Sequence, residues 1–215
     1  MMSDDNGLSK AELETQAPNP FIERIAVDEK KERKYTLVPF DPDAGFRFTD
    51  GEGMWRVAQW FLKSKLVPSS FRDESQLIVC WNRAAELGLR PGQALESMYV
   101  VNGRIGMMVN AQLAMVEGRN LLSDTPKVEY SGEGDELTCT ITLRRKGRKT
   151  AHVSSFSIRQ AKTALIYERN PTWKTYPERM LYNRALGFAL SDVFPDVLRG
   201  MKSVEELKDY PENNK

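Results

Sequence analysis

Across residues 136–145 the apolar side chains Leu137, Cys139, Ile141 and Leu143 alternate with polar ones, a period of two that fits a strand with one buried face. Such a strand needs partners beside it and an apolar layer on one side, and the neighbouring segments can supply both. Residues 127–130 read as strand and are followed by a turn at 132–134. After 146–149 the chain turns back into strand-like 150–158, giving a hairpin with five cations around its tip. Farther upstream, 98–101 and 104–109 are β-prone runs joined by Asn102-Gly103, a dipeptide that favours a tight type I′ hairpin.

The apolar layer comes from segments with helical period. Met54, Trp55, Ala58, Phe61 and Leu62 recur at three- and four-residue steps and stop before Pro68. A second helix is predicted from Asp73 or Ser75 through Leu87, closed by Gly88 and kept closed by Pro91. Shorter helices are predicted over 110–116 and 159–167, and a long one over 177–194, with Met180, Leu181, Ala185, Phe188 and Ala189 in its buried stripe and Pro177 in its first turn. The fold class expected is α+β: a small antiparallel β-sheet built from hairpins, backed by helices including a long C-terminal helix.

With 215 residues, 40% of them hydrophobic, the chain can bury one sizeable core. Residues 1–45 are expected to form a flexible leader, 46–200 the core domain and 201–215 a short C-terminal tail carrying one short helix within 204–210. No apolar run is long enough to cross a bilayer and the first ten residues lack a signal-peptide pattern, which disfavours export and membrane insertion and points to the cytoplasm. Cys80 and Cys139 form no CxxC and are read as reduced core thiols.

The formal charge of +1 hides an asymmetry. Residues 139–184 hold eleven basic residues against Glu168 and Glu178, a local +9, while the rest of the chain carries −8. A concentrated positive field attracts polyanions, although a solvated mixed face is the ordinary alternative. Catalytic equipment is sparse. His152 is the only histidine, and no phosphate-binding loop, HExxH or GxSxG motif occurs. Pro195-Asp196 with Glu206-Leu207-Lys208 superficially matches the PD…ExK pattern of magnesium-dependent nucleases, but the first acid follows a helix and the second lies in a helix-like tail, not on adjacent strands. Asp41-Pro42-Asp43 reads as turn chemistry. Within the basic region, Tyr167, Trp173, Tyr176 and Tyr182 interleave planar groups with cations, a combination suited to single-stranded nucleic acid; core packing is the competing role for Trp173 and Tyr182.

Four features occur in an order that resembles the RecT and Red-beta family of phage single-strand annealing proteins. They are Ala84-Ala85-Glu86-Leu87-Gly88-Leu89-Arg90-Pro91, a hairpin containing Tyr99, Gly103 and Ile105, a second hairpin carrying Arg144-Arg145-Lys146, and Trp173-Lys174-Thr175-Tyr176-Pro177-Glu178-Arg179-Met180-Leu181 followed by Arg184-Ala185. The resemblance covers roughly residues 76–194. It implies an ATP-independent protein that coats single-stranded DNA and promotes homologous pairing through an annealed duplex intermediate. It further implies a homo-oligomeric ring or helical filament with DNA in a positively charged groove, and partners such as a phage exonuclease and a host single-strand-binding protein. Little room follows Phe194 for the partner-binding C-terminal domain of Red-beta. By this resemblance Arg179 and Arg184 lead the DNA-binding candidates. The hairpin cations Arg144, Arg145, Lys146, Arg148 and Lys149, together with Arg159, Lys162, Lys174 and Trp173, complete the set. No cofactor is required on this reading, with a Mg2+ dependence of the DNA-binding mode left open. The other classes considered are a magnesium-dependent nuclease and an accessory protein that protects DNA without annealing it.

Overall fold

The computed structural model describes residues 38–42 and 45–210, so most of the expected leader lies outside the described residues. A small ribbon, β1 (Phe40–Asp41) against β2 (Gly45–Phe46), precedes α1 (Gly51–Ser64) and α2 (Glu74–Glu86). Both helices start where a side chain satisfies an end amide. Asp50 accepts from the Gly53 amide at 2.6 Å and Asp73 from the Gln76 amide at 2.9 Å. Gln76 returns a contact by accepting from the Arg72 amide at 2.9 Å. Beyond α2 the chain reverses through Gly88, whose φ of 75° is costly for any residue with a Cβ.

Pro91 does not hold the chain out of a helix. It opens α3 (Pro91–Ser97), occupying a first-turn position where its missing amide is no loss. β3 (Met98–Val101) and β4 (Arg104–Met107) then pair antiparallel around Asn102 and Gly103, both at positive φ as a type I′ turn requires. The helix α4 (Val109–Gly118) follows, and then a three-stranded antiparallel sheet in the order β5 (Lys127–Ser131), β6 (Thr138–Leu143), β7 (His152–Ser157). The expected α+β architecture, with small antiparallel sheets and a long helix near the C-terminus, is the one observed.

Helix α5 (Ile158–Thr163) is shorter than predicted. It starts at a capping box in which Ser157 accepts from the Gln160 amide and Gln160 accepts from the Ser157 amide, and it ends as Leu165 takes a positive φ. After α6 (Thr172–Thr175), α7 (Pro177–Val193) lies against β6 and β7. The buried residues of β6 are Cys139, Ile141 and Leu143, and the register places Phe156 beside Cys139 on the same face. Against them α7 contributes a core of Leu181, Ala185, Leu186 and Ala189, all fully buried. Each such large aliphatic side chain contributes roughly 1.5–3 kcal/mol by leaving water. Cys80 and Cys139 are buried free thiols, and burial pushes the Cys80 thiol up to about 12, so both act as small apolar groups.

Residues 201–210 pack onto this body. After α8 (Pro195–Leu198), Met107 donates to the Lys202 carbonyl at 3.0 Å, and α9 (Val204–Leu207) buries Val204 and Leu207. Asn102 donates to the carbonyls of Leu207 and Tyr210, clasping the segment to the β3–β4 turn. Gly106 makes the close approach possible, because a Cβ there would lie 2.7 Å from a Leu207 methyl and 3.3 Å from the Val204 backbone. Gly106→Val is expected to destabilise the fold by roughly 1–3 kcal/mol by overpacking this contact. A urea midpoint equal to that of the unsubstituted protein would contradict the tight packing of α9 on β4.

Candidate nucleic-acid interface

The basic region of the sequence becomes two clusters in space. At one end of the sheet, the β6–β7 connection carries Arg144, Arg145, Lys146, Arg148 and Lys149. At the other end, where β7 runs into α5 and α7 begins, lie Arg159, Lys162 and Arg179; the Tyr130 hydroxyl on β5 donates to the Glu178 carbonyl at 3.3 Å, tying the start of α7 to that end. The five steps from the first to the last of the six residues of β6, at about 3.4 Å each, separate the two ends by roughly 17 Å. The candidates therefore do not form one patch.

Several of these cations have acidic partners from outside the basic stretch. Arg145 grips Asp196 with both terminal nitrogens, at 2.5 and 2.7 Å, and lies 5.3 Å from the centre of the Phe194 ring. Arg144 pairs with Asp124 at 2.7 Å and Lys162 with Asp135 at 2.6 Å, while Arg159 pairs with Glu136. Lys174 pairs with Glu168, and Lys146 donates to the neutral side chain of Asn120. Among the described residues no ion pair involves Arg148, Lys149 or Arg179, and all three are exposed. Exposed pairs of this kind contribute about 0–1 kcal/mol, so they neutralise without locking.

Two of the candidates are interior residues, which corrects the surface role expected for Arg184 and gives Trp173 its competing core role. Arg184 is 7% exposed, pairs with Asp209, and packs near the Phe156 and Phe188 rings at 5.8 and 5.7 Å. Burial lowers its pKa. Its charge anchors the C-terminal segment, where Arg169 also donates to the Asp209 carbonyl at 3.0 Å. Trp173 is 1% exposed and packs against Phe156 and Tyr167, which makes it a core residue and leaves no face for a base. Tyr182 is half-buried, whereas Tyr176 is 63% exposed. His152 faces Asp192 of α7 at 3.3 Å.

The acids of the nuclease-like pattern are engaged separately: Asp196 in α8 by Arg145, and Glu206 in α9 by Lys202 at 2.8 Å. Among the described residues no helix is long and apolar enough to cross a membrane. Two concavities lie away from the basic clusters in composition. One of about 750 Å³ is lined by Leu87, Gln93, Glu96, Met115 and Arg119, and one of about 400 Å³ by Phe46, Trp60, Phe61, Leu66 and Leu95. Neither was legible in the sequence, because each joins helices that are distant along the chain. No protein-family model matches the chain, and no curated protein matches it.

Trp173→Ala is expected to cost roughly 3–5 kcal/mol by opening a cavity beside Phe156, read as a lowered Tm. An unchanged Tm with weaker DNA binding would instead mark Trp173 as a stacking residue. Hydrogen bonding from Arg145 holds the Asp196 carboxyl down at about 2, against an ordinary value of 3.8. A carboxyl depressed in this way stabilises the fold at pH values above 3.8 and loses that contribution as pH falls through about 2. Asp196→Asn should therefore lower stability at pH 6 and flatten its dependence on pH between about 4 and 2; denaturant midpoints across that range check this, and an unaltered profile would exclude the pair as a source of acid sensitivity.

Proposed function

We propose that this chain is an ATP-independent single-stranded-DNA-binding and annealing protein that acts as a cytoplasmic homo-oligomer and promotes homologous pairing in phage DNA recombination. The observation that carries the reading is the exposed tip of the β6–β7 hairpin, where, among the described residues, Arg148 and Lys149 meet no acid and Lys146 meets a neutral amide. Three cations on one short connection form an electrostatic footprint for phosphates, with release of condensed counterions as the driving term. The order of sequence features that resembles the RecT and Red-beta family supplies the rest of the reading. With Arg184 in the interior, Arg179 remains of the two candidates that led the set.

Annealing needs no bond made or broken in the DNA backbone. Two bare strands repel each other, and cations that offset part of the phosphate charge reduce that repulsion. Base pairing then drives the joining, and an array of subunits presents many bases together. Clusters at both ends of the sheet suit such an array, because one subunit's tip can continue the positive track offered by its neighbour.

The experiment is a mixing assay with two complementary fluorescent oligonucleotides in the absence of ATP, run beside a salt titration of binding to one strand. The unsubstituted protein is expected to accelerate pairing over the spontaneous rate. The triple variant Arg148→Ala, Lys149→Ala, Arg179→Ala should fold normally, bind more weakly and reduce the slope of log K against log salt by about 2, from roughly 0.7 per lost contact on a single strand. No acceleration, together with an unaltered slope in the folded variant, would overturn the reading. Binding without acceleration would favour the DNA-protecting alternative, and shortening of labelled DNA when Mg2+ is added would favour the nuclease.

A further inference from the structure

The register of the three-stranded sheet divides its side chains into two sets. Cys139, Ile141 and Leu143 of β6 turn toward α7, so the alternate positions Thr138, Thr140 and Thr142 turn away from it. Across the ladder, Ser157 pairs with Thr138, Ser155 with Thr140 and Val153 with Thr142. On the other flank Ser131 pairs with Thr138, Glu129 with Thr140 and Lys127 with Thr142. Six of these nine outward positions carry small hydroxyl side chains, the others are Glu129, Lys127 and the exposed Val153, and none is aromatic. Continuing the alternation past Thr142 brings Arg144 to the same face, while Arg145 turns inward to Val193 and Phe194 of the helical layer.

Two of these hydroxyls are already used locally. Thr138 donates to the Glu136 carbonyl at 2.7 Å, and Ser157 caps α5. The central hydroxyls of Thr140, Thr142 and Ser155 lie between the cation-bearing ends of the sheet. Lys127, Arg144, Arg148 and Lys149 sit at the hairpin-tip end, against the acids Glu129 and Asp124, which pair with Lys127 and Arg144. The balance of those six groups is positive. Hydroxyls and cations are the groups that hold phosphate and sugar oxygens, whereas stacking on bases requires planar side chains that this face lacks.

We infer that the outer face of β5–β7 is the track for the phosphodiester backbone of single-stranded DNA, with Thr140, Thr142 and Ser155 bonding phosphate oxygens between the terminal cations and the bases turned away from the protein. This inference rests on the reading of the chain as a single-strand binder, and it adds three contact residues and an orientation of the bound strand. Charge complementarity selects the occupant: an extended polyanion fits a hydroxyl strip whose hairpin-tip end is positive better than an apolar or acidic partner does, while at the other end Arg159 and Lys162 are balanced by Glu136 and Asp135.

The test measures binding of a fluorescein-labelled oligothymidylate to the full chain. The triple variant Thr140→Val, Thr142→Val, Ser155→Ala keeps side-chain shape and strand propensity, and is expected to lower affinity about tenfold while leaving the salt slope unchanged, because no charge is removed. Thr140→Glu, which keeps the face polar, should lower affinity further. A third arm replaces the probe with an abasic deoxyribose-phosphate oligomer, expected to bind within about threefold of the oligothymidylate. If the unsubstituted chain binds the oligothymidylate but either hydroxyl variant binds as tightly as it does, or the abasic oligomer loses more than tenfold, the track is wrong and single-strand binding stands. If the unsubstituted chain does not bind at all, both fail together.

Discussion

Packing of α7 across β6 and β7 decides where every other side chain of the sheet faces. Once Cys139, Ile141, Leu143 and Phe156 are committed to that layer, a slip of one residue in register would bury three threonines and expose the apolar set. The register is therefore strongly specified, and the polar outer face is its direct consequence. Arg145 obeys the same rule. It extends the inward set beyond Leu143, and its guanidinium is satisfied there by Asp196, by the Val193 carbonyl and by the Phe194 ring. A cation on the inner side of a hairpin tip needs such partners, since an unpaired charge half removed from water is costly.

Charge along the chain and charge in space are different quantities here. The +9 of residues 139–184 is met in the fold by acids that lie outside that stretch, including Asp124, Asp135, Glu136, Asp196 and Asp209. Coulomb attraction between exposed groups in water is weak, so the pairs that Arg144, Arg159 and Lys162 make with exposed acids add little to stability. Arg184 belongs to a different regime. Buried against Phe156 and Phe188, it cannot exchange Asp209 for a phosphate without moving a C-terminal segment whose Val204 and Leu207 are buried. Its part in the molecule is to join the last described residues to the long helix.

Local rules were legible in the sequence and distant partnerships were not. Asp73 at a helix start, Asn102-Gly103 and the alternation through Leu143 each act within a few residues, and each produced the expected element. Pro91 was ambiguous because proline both ends helices and starts them; α3 shows the second use. The serines of β7 blurred its period, so the hydroxyl face became visible only once Thr140 and Ser155 were set side by side by the register. Nothing near Arg184 in sequence announces burial, and for Trp173 core packing and stacking are competing roles. Their partners Asp209 and Phe156 lie outside their own helices, and a basic or aromatic residue in a cationic stretch has the same composition whether it points in or out.

The hydroxyl face and the hairpin tip divide the work that strand pairing would require. Cations supply attraction that is strong, unspecific and sensitive to salt, while neutral hydroxyls can hold a backbone in position without adding charge that would trap the paired product. A face of planar side chains would do the opposite, since bases stacked on protein have to be released before they can pair. On the proposed reading, in which no nucleotide is hydrolysed, holding strands by the backbone would keep the free energy of base pairing available for the joining itself. The placement of Trp173 in the core and of Thr140, Thr142 and Ser155 on the surface is the arrangement that this economy favours.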